Sequence, residues 1–260
     1  MHDRYELIDY VRRDGIAEII LNRQPVNAFS VQLLEEILGA MRAAAADDAV
    51  RVVLLRSALP KVFCAGLDLD IILDSDALKV RAFLERLYSE LYDVQHHMDK
   101  PTVAVVGGSA RGGGMTLAIS CDMIVASDAA TFGYPELEIG VVPAIHFMHL
   151  PRIVGRYRAF DLLFSCRAFD AAEAHALGLV SRVSPSERLE KDAMALARSL
   201  AAKPPVATRL ARRAFMRAND LDYRRGVANA VEDFVNVATL PEAQEGLRAF
   251  LEKRAPSWKG

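Results

Sequence analysis

Apolar residues recur along this chain in two rhythms. Alternating or β-branched runs predict strands, and apolar positions three and four apart predict helices. Residues 5–11 and 16–21 read as strands joined at Asp14 and Gly15, a hairpin turn. Ser30 is placed to cap a helix over 31–46, whose stripe is Leu33, Leu34, Ile37, Leu38 and Met41. Residues 50–55 read as a strand, 57–66 as a loop and 77–98 as one long amphipathic helix. Strands follow at 102–106, 123–126 and 131–132, with a buried helix at 115–121 and a connector at 135–143. Beyond Ala144 the pattern is mainly helical. Helices are predicted at 160–164, 171–177 (closed by Gly178), 186–202, 206–217, 223–239 and 242–253, with a last strand at 179–183.

Alternating strands and helices predict an α/β fold. Pro204 and Pro205 mark the clearest boundary, giving a core at 1–203 and a helical region at 204–260. The late helices carry Phe215, Val227, Val231, Phe234, Val235, Leu247 and Phe250 on apolar faces. These must bury against the main domain or another subunit.

The richest stretch is KPTVAVVGGSARGGGMTLAISCD, from Lys100 to Asp122. A strand runs into a glycine-rich turn and then a helix N-terminus, where backbone N–H groups lack helical partners. The glycines Gly112, Gly113 and Gly114 leave those groups open to a ligand. The result is a socket for phosphate or for an oxyanion formed during reaction. Such a triplet also lets a helix pack closely on a sheet. The Lys-Ser/Thr ending of a nucleotide P-loop is absent, because Met115-Thr116 stands there.

Composition narrows the classes. With 260 residues, 52% hydrophobic and 25% charged, the chain can bury a large core. A net charge of -2 leaves no basic footprint for nucleic acid, RNA included. The three cysteines, Cys64, Cys121 and Cys166, have no spacing of a disulfide frame or zinc site. No apolar run approaches the ~20 residues of a membrane span, and the N-terminal MHDRYELIDY lacks a leader's apolar segment. The expectation is a soluble, cytoplasmic protein with neither metal nor membrane partner.

Four segments together resemble one family. They are LNRQPVNA at 21–28, FCAGLDL at 63–69, GGSARGGGMTLAISCD at 107–122 and FGYPELEIGVVP at 132–143. CRAF at 166–169, AHALGLVSRV at 174–183 and AFLEKRAPSW at 249–258 also fit. Their order and spacing are similar to those of the crotonase superfamily, the enoyl-CoA hydratase/isomerase family. The resemblance implies an α/β, crotonase-like core of repeated β-β-α turns in a spiral, with a C-terminal helical oligomerisation region. It implies trimers, or dimers of trimers, and coenzyme A thioester substrates of fatty-acid type, with no separate cofactor. It also implies that the N–H groups of Leu67 and Gly113 hold the thioester oxygen as charge develops. Contacts to the coenzyme are implied for Val26, Ala28, Ala65, Gly66, Leu67, Asp68, Gly112 and Gly113, and for Phe250 and Lys253 near the C-terminus.

Hydratases of the family use two glutamates. One position is Glu136 here; the other is Thr116, whose hydroxyl is not a proton acceptor at neutral pH. The segment after Pro143, often Gly-rich in hydratases, is Ala144-Ile145-His146-Phe147-Met148-His149. Glu136 sits among Phe132, Tyr134, Leu137, Ile139 and Val142, an apolar setting that raises a carboxyl's pKa. It is the expected base. Glu138 reads as solvated, Asp68 as a side chain that fixes its loop, and Arg111 as either a solvated charge or a phosphate partner. His146 and His149, with Tyr134, are candidate pocket residues, packed rather than catalytic. No chemistry is assigned to His96, His97 or Cys64. One carboxylate suffices to move a double bond, so isomerisation is favoured, with hydration of a 2-enoyl-CoA as the alternative. A silent acyl-CoA-binding protein would need Leu67 and Gly113 but not Glu136.

Overall fold

The two apolar rhythms resolve into a repeating unit of strand, short strand and helix. A computed structural model describes residues 5–219 and 223–258; 1–4, the start of the charged N-terminal stretch, lie outside the described residues. β1 (Ile8–Arg13) and β2 (Ile16–Leu21) form the expected antiparallel hairpin, turned by Asp14 and Gly15 at positive φ. Ser30 caps α1 (Val31–Ala46), its hydroxyl accepting from the Leu33 N–H at 3.1 Å.

Three rounds follow. The first is β3 (Val52–Ser57), β4 (Val62–Cys64) and a helical run of α2 (Ala77–Leu84), a π segment (Glu85–Glu90) and α3 (Leu91–His97). The second is β5 (Thr102–Val106), β6 (Ser109–Arg111) and α4 (Gly113–Ser120). The third is β7 (Met123–Ser127), β8 (Thr131–Gly133), a 3-10 turn (Glu136–Ile139), α5 (Ala144–Val154) and α6 (Arg156–Ser165). β9 (Phe169–Asp170), α7 (Ala171–Ala176) and β10 (Arg182–Ser184) close the core. Then come α8 (Leu189–Ala201), α9 (Pro205–Asn219), α10 (Tyr223–Ala238) and α11 (Pro241–Leu251).

The first strand of each round joins a six-stranded sheet ordered β1-β2-β3-β5-β7-β10, and the second joins a smaller sheet ordered β4-β6-β8-β9. This is the β-β-α spiral expected. Val52, Leu54, Val103 and Val105 on one face of the large sheet pack against Leu189, Ala193 and Leu196 of α8. Val53, Leu55, Ala104 and Val106 point into the main core on the other face. With both faces covered, the parallel strands read as unbroken apolar runs.

Several elements differ from expectation. β4, β6 and β9 stand where loop or turn was read, being two or three residues long. Strands so short carry no period, and pairing alone creates them. The helix expected over 77–98 is continuous but contains the π segment. Residues 144–154 form a helix, and α6 is longer than the 160–164 piece predicted. The last strand starts at Arg182, because 174–180 form a Gly178-terminated turn.

α10 packs on α5 and α2, and α11 packs on the Glu136–Ile139 turn. Val227, Val231, Phe234, Val235 and Leu247 are thereby buried against the chain's own core. Phe215 and Phe250 remain exposed.

Candidate active site

Two loops meet at the N-terminus of α4. Gly66 stands at φ 107°, and a side chain there would meet the Arg111 carbonyl at 3.1 Å and the Gly113 N–H nitrogen at 3.4 Å. The Gly66–Leu67 peptide therefore lies beside Gly113. Phe29 pairs with Leu67 as in a parallel ladder: the Phe29 N–H donates to the Gly66 carbonyl at 2.7 Å, and the Asp68 N–H donates to the Phe29 carbonyl at 2.9 Å. In that pattern the intervening Leu67 N–H faces away from Phe29. Among the described residues, neither the Leu67 nor the Gly113 N–H has a protein acceptor.

The three glycines do different work. Gly112 adopts φ 49°, and Oε1 of Glu136 lies 3.3 Å from where its side chain would begin. Gly114 presses on the Cys64 carbonyl, which a methyl group would meet at 2.2 Å. Gly113 has ordinary clearance, 3.4 Å from Phe29, so no close approach there demands a glycine.

Glu136 opens the 3-10 turn after β8. The residue is partly exposed, but its Oε2 is buried and has no hydrogen-bond partner. Burial pushes the carboxyl up to about 7, with its own backbone N–H offsetting part of that rise. A carboxylate enclosed in this way and poised near neutrality suits general-base work. Glu138 is exposed, as expected of a solvated neighbour.

Thr116 lies one turn into α4, on the other side of the socket glycines from their strand. Its Oγ1 is 3.3 Å from Nε2 of His146. The imidazole is fully buried and sits 4.5 Å, centroid to centroid, from the Tyr134 ring. Burial and nearby His149 drive its pKa down to about 3, outweighing the opposing pull of the Gly112 carbonyl. His146 is therefore neutral at any working pH. The phenol of Tyr134 is buried too, and burial raises its pKa, as does the charge of Glu136.

A cavity of about 790 Å³ opens behind α4. Thr116 and His149 line it; Tyr134 and His146 are packed behind its wall instead. Burial, with Arg152 nearby, lowers His149 to about 4.

Residues 12–260 match the enoyl-CoA hydratase/isomerase family. The chain belongs to that family, within the crotonase superfamily, and is an enzyme. It is 36% identical over 254 residues to the probable enoyl-CoA hydratase echA8 of Mycobacterium leprae, covering 97% of this chain and 96% of that one. It is 34% identical over 252 residues to the mouse mitochondrial methylglutaconyl-CoA hydratase, covering 95% and 80%. Among solved structures, an enoyl-CoA hydratase/isomerase from Xanthobacter autotrophicus superposes with a TM-score of 0.87 at 31% identity, covering 96% and 98%. The enoyl-CoA hydratase of Bacillus anthracis gives 0.78 at 31% identity, covering 98% and 100%.

The residues implied for coenzyme contact in this family member fall into two groups. Val26, Ala28 and Ala65 to Asp68 run side by side, with the Ala65 N–H on the Val26 carbonyl at 3.1 Å. Asp68 fixes its loop, as expected, through Arg23 at 2.5 Å. Phe250 and Lys253 are exposed at the end of α11. No hydrogen bond or ion pair among the described contacts joins them to the Val26 or Ala65 segments; α11 instead reaches the nearby loop through Arg248 and Asp74. Arg111 is half-buried and donates to Thr131 Oγ1 at 2.9 Å. Cys64 is buried and its thiol pushed up to about 12, so it is no nucleophile. Among the described residues no helix is long and apolar enough to cross a membrane.

Sequence reasoning missed Asn27. It is fully buried at φ 51°, donating to Ser57 Oγ at 2.8 Å and the Phe63 carbonyl at 2.9 Å while accepting from the Arg23 N–H at 2.8 Å. It locks the segment that carries Val26 and Ala28. An Asn within LNRQPVNA was its only signal.

Proposed function

We propose that this enzyme moves the double bond of an enoyl-CoA, with Glu136 as its single acid–base group and the Leu67 and Gly113 N–H groups as its oxyanion hole. The observation that carries this is the contrast between the two glutamate positions. At one, a buried carboxylate faces the socket. At the other, Thr116 contacts a neutral imidazole.

Glu136 takes a proton from C2 of a 3-enoyl thioester. The electron pair moves toward the carbonyl, and the dienolate oxygen gains charge against the two N–H groups. The carboxylic acid then returns the proton at C4, leaving the 2-enoyl product and the starting carboxylate. Nothing is consumed. A donor aimed at the developing charge contributes ~10²–10³ in rate. Hydration would require a second group to orient and deprotonate water, and neither Thr116 nor His146 supplies a base of ordinary strength.

A silent acyl-CoA-binding role is not favoured, because it would leave the buried carboxyl of Glu136 without a purpose. The test is to incubate the enzyme separately with 2-enoyl-CoA and 3-enoyl-CoA and identify products by mass spectrometry and NMR. Conversion of the 3-enoyl to the 2-enoyl thioester, faster than appearance of 3-hydroxyacyl-CoA, is expected. Hydration at an equal or greater rate would replace this reading with that of a hydratase.

A further inference from the structure

Arg111 stands where the two strands that deliver the site meet, and the proposed chemistry gives it no part. β6 ends at Arg111 and runs into Gly112 and Gly113; β8 ends at Gly133 and leads through Tyr134 and Pro135 to Glu136. The two strands are parallel, with Ser109 opposite Thr131, Ala110 opposite Phe132 and Arg111 opposite Gly133. Ala110 and Phe132 belong to the core. Arg111 and Thr131 therefore share the other face of the small sheet. The stem of Arg111 lies over Gly133, where a side chain would meet its Cδ at 3.3 Å and its Nε at 3.5 Å. The guanidinium then donates to Thr131 Oγ1 at 2.9 Å and to the Ala110 carbonyl at 3.1 Å.

Among the described residues no carboxylate pairs with this half-buried cation, and burial lowers its pKa with no opposing charge. Burying a charge without a counter-charge costs stability. A Leu or Met stem would cover Gly133 without that cost. What the guanidinium adds over a hydrocarbon is directed bonding, and its bond to Thr131 crosses from β6 to β8. The next contacts along the same seam join the reacting groups. The Gly112 N–H donates to the Gly133 carbonyl at 3.1 Å. Glu136 Oε1 lies 3.3 Å from where a side chain at Gly112 would begin. A shift of β6 against β8 would thus move the Gly113 N–H relative to the Glu136 carboxyl.

We propose that Arg111 is a positioning residue, which clamps β6 to β8 and so holds the Gly113 N–H in register with the Glu136 carboxyl. This rests on the reading of Glu136 as the base and adds a residue on which its geometry depends.

The test is steady-state kinetics of 3-enoyl-CoA isomerisation, with thermal unfolding, for wild type, Arg111→Met, Thr131→Val, the double variant and Thr131→Ser. Arg111→Met keeps the stem over Gly133 and removes the fork; Thr131→Val keeps the shape and removes the acceptor. Each should lower kcat ~10-fold with KM little changed, since a misplacement of about 1 Å can cost ~10²-fold. The double variant should lose no more than either single one, because both break the same bond. Thr131→Ser, which keeps the hydroxyl, should restore the wild-type rate. The pH midpoint should stay near 7 throughout, because burial rather than a nearby cation sets the Glu136 carboxyl. Should Arg111→Met not fold, Thr131→Val carries the comparison. Melting temperatures that fall while kcat keeps its wild-type value would show a purely structural part and overturn the inference. A raised KM at unchanged kcat, a shifted pH midpoint or additive losses in the double variant would overturn it as well. Each of these leaves the enoyl-CoA reading intact when Glu136→Gln, assayed alongside, is inactive. A Glu136→Gln enzyme with the wild-type rate overturns both.

Discussion

Glu136 carries the two residue-scale consequences. With its carboxyl pushed up to about 7, Glu136 is protonated in mild acid. Activity, as kcat/KM for 3-enoyl-CoA isomerisation, should therefore rise with pH along a single limb with its midpoint near 7. His146, held down to about 3, adds no second ionisation in that range. A bell, or an acidic limb steeper than one proton, would show that another group titrates in the mechanism. Stability should move the opposite way. The folded carboxyl binds its proton more tightly than the unfolded one, whose value is 4.5. Stability is thus full below pH 4.5 and falls as pH rises through about 7. Glu136→Gln removes the ionisation, so at pH 8 it should be more stable than wild type by up to roughly 3 kcal/mol. Near pH 4 the two should be alike. Chemical denaturation at both pH values measures this, and a destabilised Glu136→Gln at pH 8 would show that the buried carboxylate is paired.

At the level of elements, the site depends on how closely α4 approaches the Cys64–Gly66 loop. Gly114→Ala would set a methyl 2.2 Å from the Cys64 carbonyl, so backbone must shift. A loss of about 1–3 kcal/mol is expected. Gly113→Ala, with 3.4 Å of clearance, should fold with less than half that loss. Thermal unfolding of the two variants compares them, and equal melting temperatures would contradict this packing. Much of this was legible in the sequence. The hairpin, α1 and β5 follow from apolar period and capping alone, and the glycine triplet marked the turn into α4. The small sheet was not legible, because β4, β6 and β9 owe their existence to partners distant in sequence. Nor was Asn27, since its buried contacts reach 30 and 36 residues along the chain. The Thr116–His146 contact depends on α5 folding back over α4, which no local pattern states.

For the whole molecule, the apolar inventory divides in two. Val227, Val231, Phe234 and Leu247 are satisfied within the chain, whereas Val206, Leu210, Phe215, Phe250 and Leu251 are exposed. Exposed apolar side chains grouped on the last helices suit a subunit interface. Sedimentation at micromolar concentration should show a trimer or a dimer of trimers. A folded monomer would contradict that expectation. In the proposed chemistry one buried carboxylate handles the proton throughout. That role is tested most directly by steady-state kinetics of 3-enoyl-CoA isomerisation for wild type and Glu136→Gln. The substitution keeps the shape of the side chain and removes the base. The expected kcat is lower by ~10²–10⁴-fold with KM little changed. A Glu136→Gln enzyme that isomerises at the wild-type rate would contradict it.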